Sequence, residues 1–104
     1  MKIEVYVEND YPCHCGFWIS LPCELKKLIN QMDSFFHSYE YQITTIKIQN
    51  VIQNADCNLF ILNRVLMNFM NFSENEQEQI LLSSFTAGEL FSEYIIKNLD
   101  GYGE

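Results

Sequence analysis

Residues 2–8 set the first constraint on what this chain can fold into. Ile3, Val5 and Val7 alternate with Glu4, Tyr6 and Glu8, and a period of two is the mark of a strand with one buried face. Asn9-Asp10-Tyr11-Pro12 then signals a turn. A second strand, antiparallel to the first, is expected from Cys15 to Ser20. The period changes after Pro22, which suits the first turn of a helix because its missing N–H is needed by no partner there. Leu25, Leu28, Ile29, Met32, Phe35 and Phe36 recur at helical spacing. Tyr39 to Gln49 is rich in β-branched and aromatic residues and predicts a third strand.

Beyond this β-β-α-β half the pattern is helical. Leu59, Leu62, Leu66, Phe69 and Met70 predict a helix over about residues 55–71. Ser73-Glu74-Asn75-Glu76 has the spacing of a capping box and predicts a helix start. Thr86-Ala87-Gly88-Glu89 repeats that signal ahead of Leu90, Phe91, Tyr94, Ile95 and Leu99, and Gly101 is expected to end the last helix. The expected fold class is α+β: a β-β-α-β subdomain over residues 1–52, then an acidic helical subdomain of about three helices over residues 53–104. The best seam is residues 50–54.

Nearly half of the 104 residues are apolar and eight are Phe, enough for a core without disulfide staples. Fourteen acids against six bases give a net charge of −8. That balance argues against direct nucleic-acid binding, which needs a cationic stripe to displace counterions from phosphates. A basic protein partner fits instead, because complementary fields speed encounter. The charge is uneven. Residues 1–72 hold seven acids and five bases, whereas residues 73–104 hold seven acids and one base. No signal peptide is evident, and no apolar run approaches the ~20 residues of a membrane span. A soluble, cytoplasmic protein with no membrane partner is expected.

The sequence offers little for catalysis. Its four glycines are too scattered for a phosphate loop, and neither histidine has a clear orienting acid for a Cys/His pair. No catalytic residue is assigned and no enzymatic activity is expected. Cys13-His14-Cys15 is the one cluster with metal-ligand character. If residues 15–22 are extended, Cys23 lies on the order of 25 Å from Cys15, too far to share a site. The helix that follows returns His37 to the Cys13/Cys15 end, and the third strand carries Cys57 away toward Cys23. A structural zinc held by Cys13, Cys15, His37 and His14 is therefore the one cofactor the sequence raises. The alternative is a loop with two thiols and a solvent-facing His. Cys23 and Cys57 suit the role of buried small hydrophobes.

Phe17 and Trp18 are consecutive in the second strand and must take opposite faces. Trp18 is then either buried under the helical half or exposed as an anchor for a protein partner.

Gly16-Phe17-Trp18-Ile19-Ser20-Leu21-Pro22, running into a helix at Cys23 to Phe36, resembles the opening of the ArdA antirestriction proteins. The resemblance continues through Tyr39–Gln49, the Leu62-Asn63 pair, the acidic Ser73–Glu78 segment and Glu89–Leu99. It implies an acidic product of plasmids, transposons or phages that imitates DNA and occupies the DNA groove of type I restriction-modification enzymes. This chain departs from the family in length, lacking the third, dimer-forming domain, and has Ile43-Thr44-Thr45 where the family places acids. Duplex DNA carries one charge per about 1.7 Å of axis, so a net −8 replaces only about 14 Å of duplex. A small inhibitor of an RNA-guided CRISPR nuclease, whose channels are positively charged, matches that scale as well.

The expected function is an anti-defence inhibitor that binds a basic DNA-binding surface of a host restriction or CRISPR nuclease complex and keeps DNA out. The expected partner-binding residues are Glu74, Glu76, Glu78, Glu89, Glu93, Asp100 and Trp18. Two alternatives stand beside it: an anti-CRISPR protein acting through apolar contacts on a zinc-stabilised fold, and a non-inhibitory interaction module whose acids serve solubility.

Overall fold

The structure is a computed structural model that describes residues 1–9, 16–36 and 41–99, with side chains at all of these except 9, 34–36, 41 and 42. Eight elements follow in the order β1 (Ile3–Asn9), β2 (Gly16–Leu21), α1 (Leu25–Phe36), β3 (Tyr41–Ile48), β4 (Val51–Asn54), α2 (Leu59–Phe69), α3 (Glu74–Ala87) and α4 (Phe91–Leu99). The fold is α+β, an antiparallel sheet ordered β2-β1-β3-β4 with most of the helices after it.

Strand alternation decides which face carries the core. Ile3, Val5 and Val7 stand opposite Leu21, Ile19 and Phe17 on β2, and opposite Ile48, Ile46 and Ile43 on β3. All of these are buried except Phe17, which packs against the cluster from its edge. The register between β1 and β3 shifts between Tyr6 and Val7, so Thr44 is the extra residue of a bulge. Leu28 and Met32 of α1, five apolar side chains of α2, and Phe91, Ile95 and Leu99 of α4 complete one buried cluster with the sheet. That cluster runs through residues on both sides of the 52/53 boundary.

The opposite face of the sheet holds Glu4, Tyr6, Trp18, Ser20, Thr45 and Lys47, all intermediate or exposed. Trp18 is 45% exposed, so burial beneath the helices is not what the chain adopts. Its ring instead meets Tyr6 edge-on, with centroids 5.3 Å apart, across a directly opposed pair. Gly16 explains the spacing of the Gly-x-Trp stretch. A Cβ there would sit 2.6 Å from the Val7 carbonyl oxygen and 2.7 Å from the Tyr6 ring, so Tyr6 lies over the bare glycine with Trp18 beside it.

Several expected boundaries move. The seam at residues 50–54 is β4, which pairs with β3 through Ile48↔Val51 to Thr45↔Asn54. Gln49, with φ of 54°, helps reverse the chain within two residues. Gln53 and Asn54 are poor strand formers and hid this edge strand. Pro22 lies before α1, and Glu24 accepts its first helical bond, from Leu28 N. The Thr86 signal is not a helix start: Thr86 Oγ1 donates to Leu82 O within α3, and Gly88 caps that helix with φ of 70°. By contrast the helix start at Ser73 forms as expected. Ser73 Oγ accepts from Glu76 N at 3.3 Å and donates to Glu76 Oε1 at 3.0 Å. Leu25 and Ile29 of the expected core stripe are 55% and 42% exposed. Phe35 and Phe36 belong to α1, but their side chains lie outside the described set, as does Gly101.

Candidate partner-binding surface

The acids of the C-terminal stretch fall into distinct settings. Glu74 and Glu76 lie in the first turn of α3, where carboxylates complement the positive end of the helix dipole, and Glu78 follows in the second. Helical rotation of 100° per residue puts Glu74 and Glu78 on one flank and Glu76 on the other. Glu76 is occupied in the Ser73 capping box. Glu74 and Glu78 line a cavity of about 120 Å³ together with Met1, Gln49 and Gln77. Glu89 pairs with Lys97 at 3.5 Å near the start of α4, and Glu93 is exposed in the first turn of that helix. Asp100 lies outside the described residues. Glu74 and Glu78 are thus the two expected site residues that the fold brings together in one cavity.

Gln77 holds this region in place. Its Nε2 donates to Phe72 O at 3.0 Å and to Phe69 O at 3.4 Å, the latter shared with Phe72 N, and so ties α3 to the end of α2. Its Oε1 is buried without a hydrogen-bond partner. Farther along α3, Leu82 and Phe85 are 57% and 41% exposed. The acidic flank therefore continues into an apolar one.

A second apolar surface lies between α1 and α2. Leu25, Phe60, Ile61, Asn63, Arg64 and Met67 line a groove of about 320 Å³. Asn63 shapes its floor. It is 3% exposed, accepts from Cys23 N through Oδ1 and donates from Nδ2 to Cys23 O, both at 2.9 Å. One amide satisfies both backbone groups at the β2–α1 junction, which gives the Leu62-Asn63 pair a structural reason. Gln53 does similar work, since its Oε1 accepts from Phe91 N at 2.9 Å and caps α4 from β4. The sequence raises Asn63 only as part of the Leu62-Asn63 pair, and Gln53 and Gln77 not as site residues at all. Each is an amide in a helix or strand whose partner is 5 to 40 residues away. For Asn63 and Gln53 the readable signal is a polar amide interrupting an apolar run; Gln77, within Glu74-Asn75-Glu76-Gln77-Glu78-Gln79, carries none.

The expected zinc ligands Cys13, His14, Cys15 and His37 all lie outside the described residues, as does Tyr11. Among the described residues no group of three or more His, Cys, Asp or Glu converges. Cys23 and Cys57 are free thiols, partly buried against the core. Burial, reinforced by Asp56, pushes the Cys57 thiol up to about 11. Burial also raises Cys23, with Lys27 acting against it. Both thiols are protonated near neutrality, which suits the packing role expected of them and opposes a nucleophilic one.

No helix among the described residues is long and apolar enough to cross a membrane. Comparison with known protein families, curated proteins and solved structures gives no match to this chain.

Proposed function

We propose that this chain is an acidic inhibitor of a host defence nuclease, binding a basic DNA-engaging surface of a restriction or CRISPR effector complex and excluding DNA from it. One observation carries the reading. Residues 73–104 concentrate a net charge of −6, and α3 displays Glu74 and Glu78 on one flank without a lysine or arginine in the helix. Such a field attracts a cationic groove and repels nucleic acid, so the partner is a protein that itself binds DNA or guide–target heteroduplex. The resemblance to the ArdA antirestriction proteins supports the same class of target. An exposed Trp18 beside Tyr6 favours a second reading, in which apolar anchoring by the sheet face supplies part of the affinity.

The test is retention of purified type I restriction and CRISPR effector complexes on the immobilised chain at low and high salt. Binding should fall steeply as ionic strength rises. Charge reversal by Glu74→Lys with Glu78→Lys should weaken it by about tenfold or more at low salt. Absence of any complex sinks the proposal, and so does a complex indifferent to both salt and charge reversal. A salt-resistant complex lost on Trp18→Ala would establish the second reading.

A further inference from the structure

We infer that the outward flank of α3 is a composite docking surface for a cationic amphipathic helix of the protein partner. The inference deepens the proposed function and rests on it. Glu74, Glu78, Leu82 and Phe85 occur at positions i, i+4, i+8 and i+11, which keeps them within an arc of about 80° and spreads them over roughly 16 Å of the helix axis. All four are exposed, Leu82 and Phe85 at 57% and 41%. The first half of the stripe is anionic and the second half apolar, with no basic residue in α3 to neutralise it.

The anionic half is more than a solvated helix face. Glu74 and Glu78 border the cavity of about 120 Å³ against Gln49, and Gln77 forms part of its wall. Gln77 Nε2 donates to the Phe69 and Phe72 carbonyls and lies 3.9 Å from Met70 Sδ, which holds this wall of the cavity against the end of α2. A lysyl ammonium or an arginine guanidinium entering beside the two carboxylates carries several donors and a positive charge. The apolar half selects among cationic ligands. Nucleic acid and anionic lipid are repelled by the same carboxylates, and a free metal ion leaves Leu82 and Phe85 unused. A helix with basic residues along one part of its face and leucine-like residues along another covers both halves at once, in the helix-on-helix manner of amphipathic recognition.

The probe is a fluorescently labelled Leu/Lys peptide patterned as an amphipathic helix, titrated into the full chain by anisotropy. A peptide of the same composition in scrambled order is the control. Leu82→Ala with Phe85→Ala should weaken binding by about tenfold at low and high salt alike, while Glu74→Gln with Glu78→Gln should do so mainly at low salt. All four positions are exposed, so circular dichroism and thermal melting should leave the variants folded. Equal binding of the scrambled peptide overturns the inference, as does no binding or indifference to the Leu82/Phe85 variant. Assaying both variants against the retained nuclease complex separates this failure from that of the function. Loss with the acidic variant but not the apolar one leaves the inhibitor and removes the docking stripe.

Discussion

Helices α2 and α3 adjoin in sequence and have opposite chemistry. Five apolar side chains and Asn63 of α2 are buried, and Arg64 is its single charged residue. In α3, although it is three residues longer, only Gln77 and Ser84 are buried, both polar. Packing holds α2 through fully buried side chains, whereas α3 lays only the half-buried Ile80 and Leu81 on the core and has its ends fixed by hydrogen bonds at Ser73, Gly88 and Gln77. A helix that packs with so few of its side chains has others to spare. The outward residues of α3 are free of packing duties, and the acids and exposed apolar groups collect there.

The sharpest way to test this contrast is matched truncation. Leu66→Ala in α2 removes a fully buried side chain and should cost about 2–5 kcal/mol, whereas exposed Leu82→Ala in α3 should stay within about 0.5 kcal/mol. Urea denaturation of the pair measures the difference, and equal losses would erase the contrast. A smaller effect is expected at the sheet. Gly16→Ala drives a methyl against the Val7 carbonyl and the Tyr6 ring, for a loss of about 1–3 kcal/mol. Trp18 fluorescence should report the disturbance, because the Tyr6 ring has to move. The mildest is Ser73→Ala, which removes the cap of α3 and should cost about 1 kcal/mol. Urea denaturation measures the loss, and an unchanged midpoint would show that the Ser73 cap contributes nothing to holding α3.

How legible these regions were follows from the same contrast. The strands around Val5 and Ile46, the α2 stripe and the Ser73 box are local patterns, and each appears in the fold close to where the sequence places it. Strand β4 was obscured because Gln53 and Asn54 resemble a linker, while its partner on β3 is what makes it a strand. Thr86 misled because it begins a capping pattern, yet the helix reaches Ala87 and stops only at the left-handed Gly88. The exposure of Trp18 depends on which face the helices cover, a tertiary choice that strand alternation leaves open. At the candidate surface the acids were visible as composition. Their division into the Glu74/Glu78 cavity, the Glu76 cap and the Glu89–Lys97 pair required the helix phase and the position of Gln49. The amides of Asn63 and Gln77 acquire roles only from backbone groups that folding brings to them.

The bond from Phe91 N to Gln53 also bears on the order in which the molecule assembles. It spans 38 residues, and closing a segment of that size carries an entropic cost that grows with the logarithm of its length. Helix α4 has nine residues, fewer than the ~12–15 at which an isolated helix becomes even marginal in water. Its first turn draws support from β4, a strand of four residues that is itself ordered by pairing with β3. During synthesis the hairpin emerges well before α4 and can be in place to receive it. Fraying of that hairpin in the finished protein withdraws the same support. The chain's last described helix is thus tied to its shortest strand.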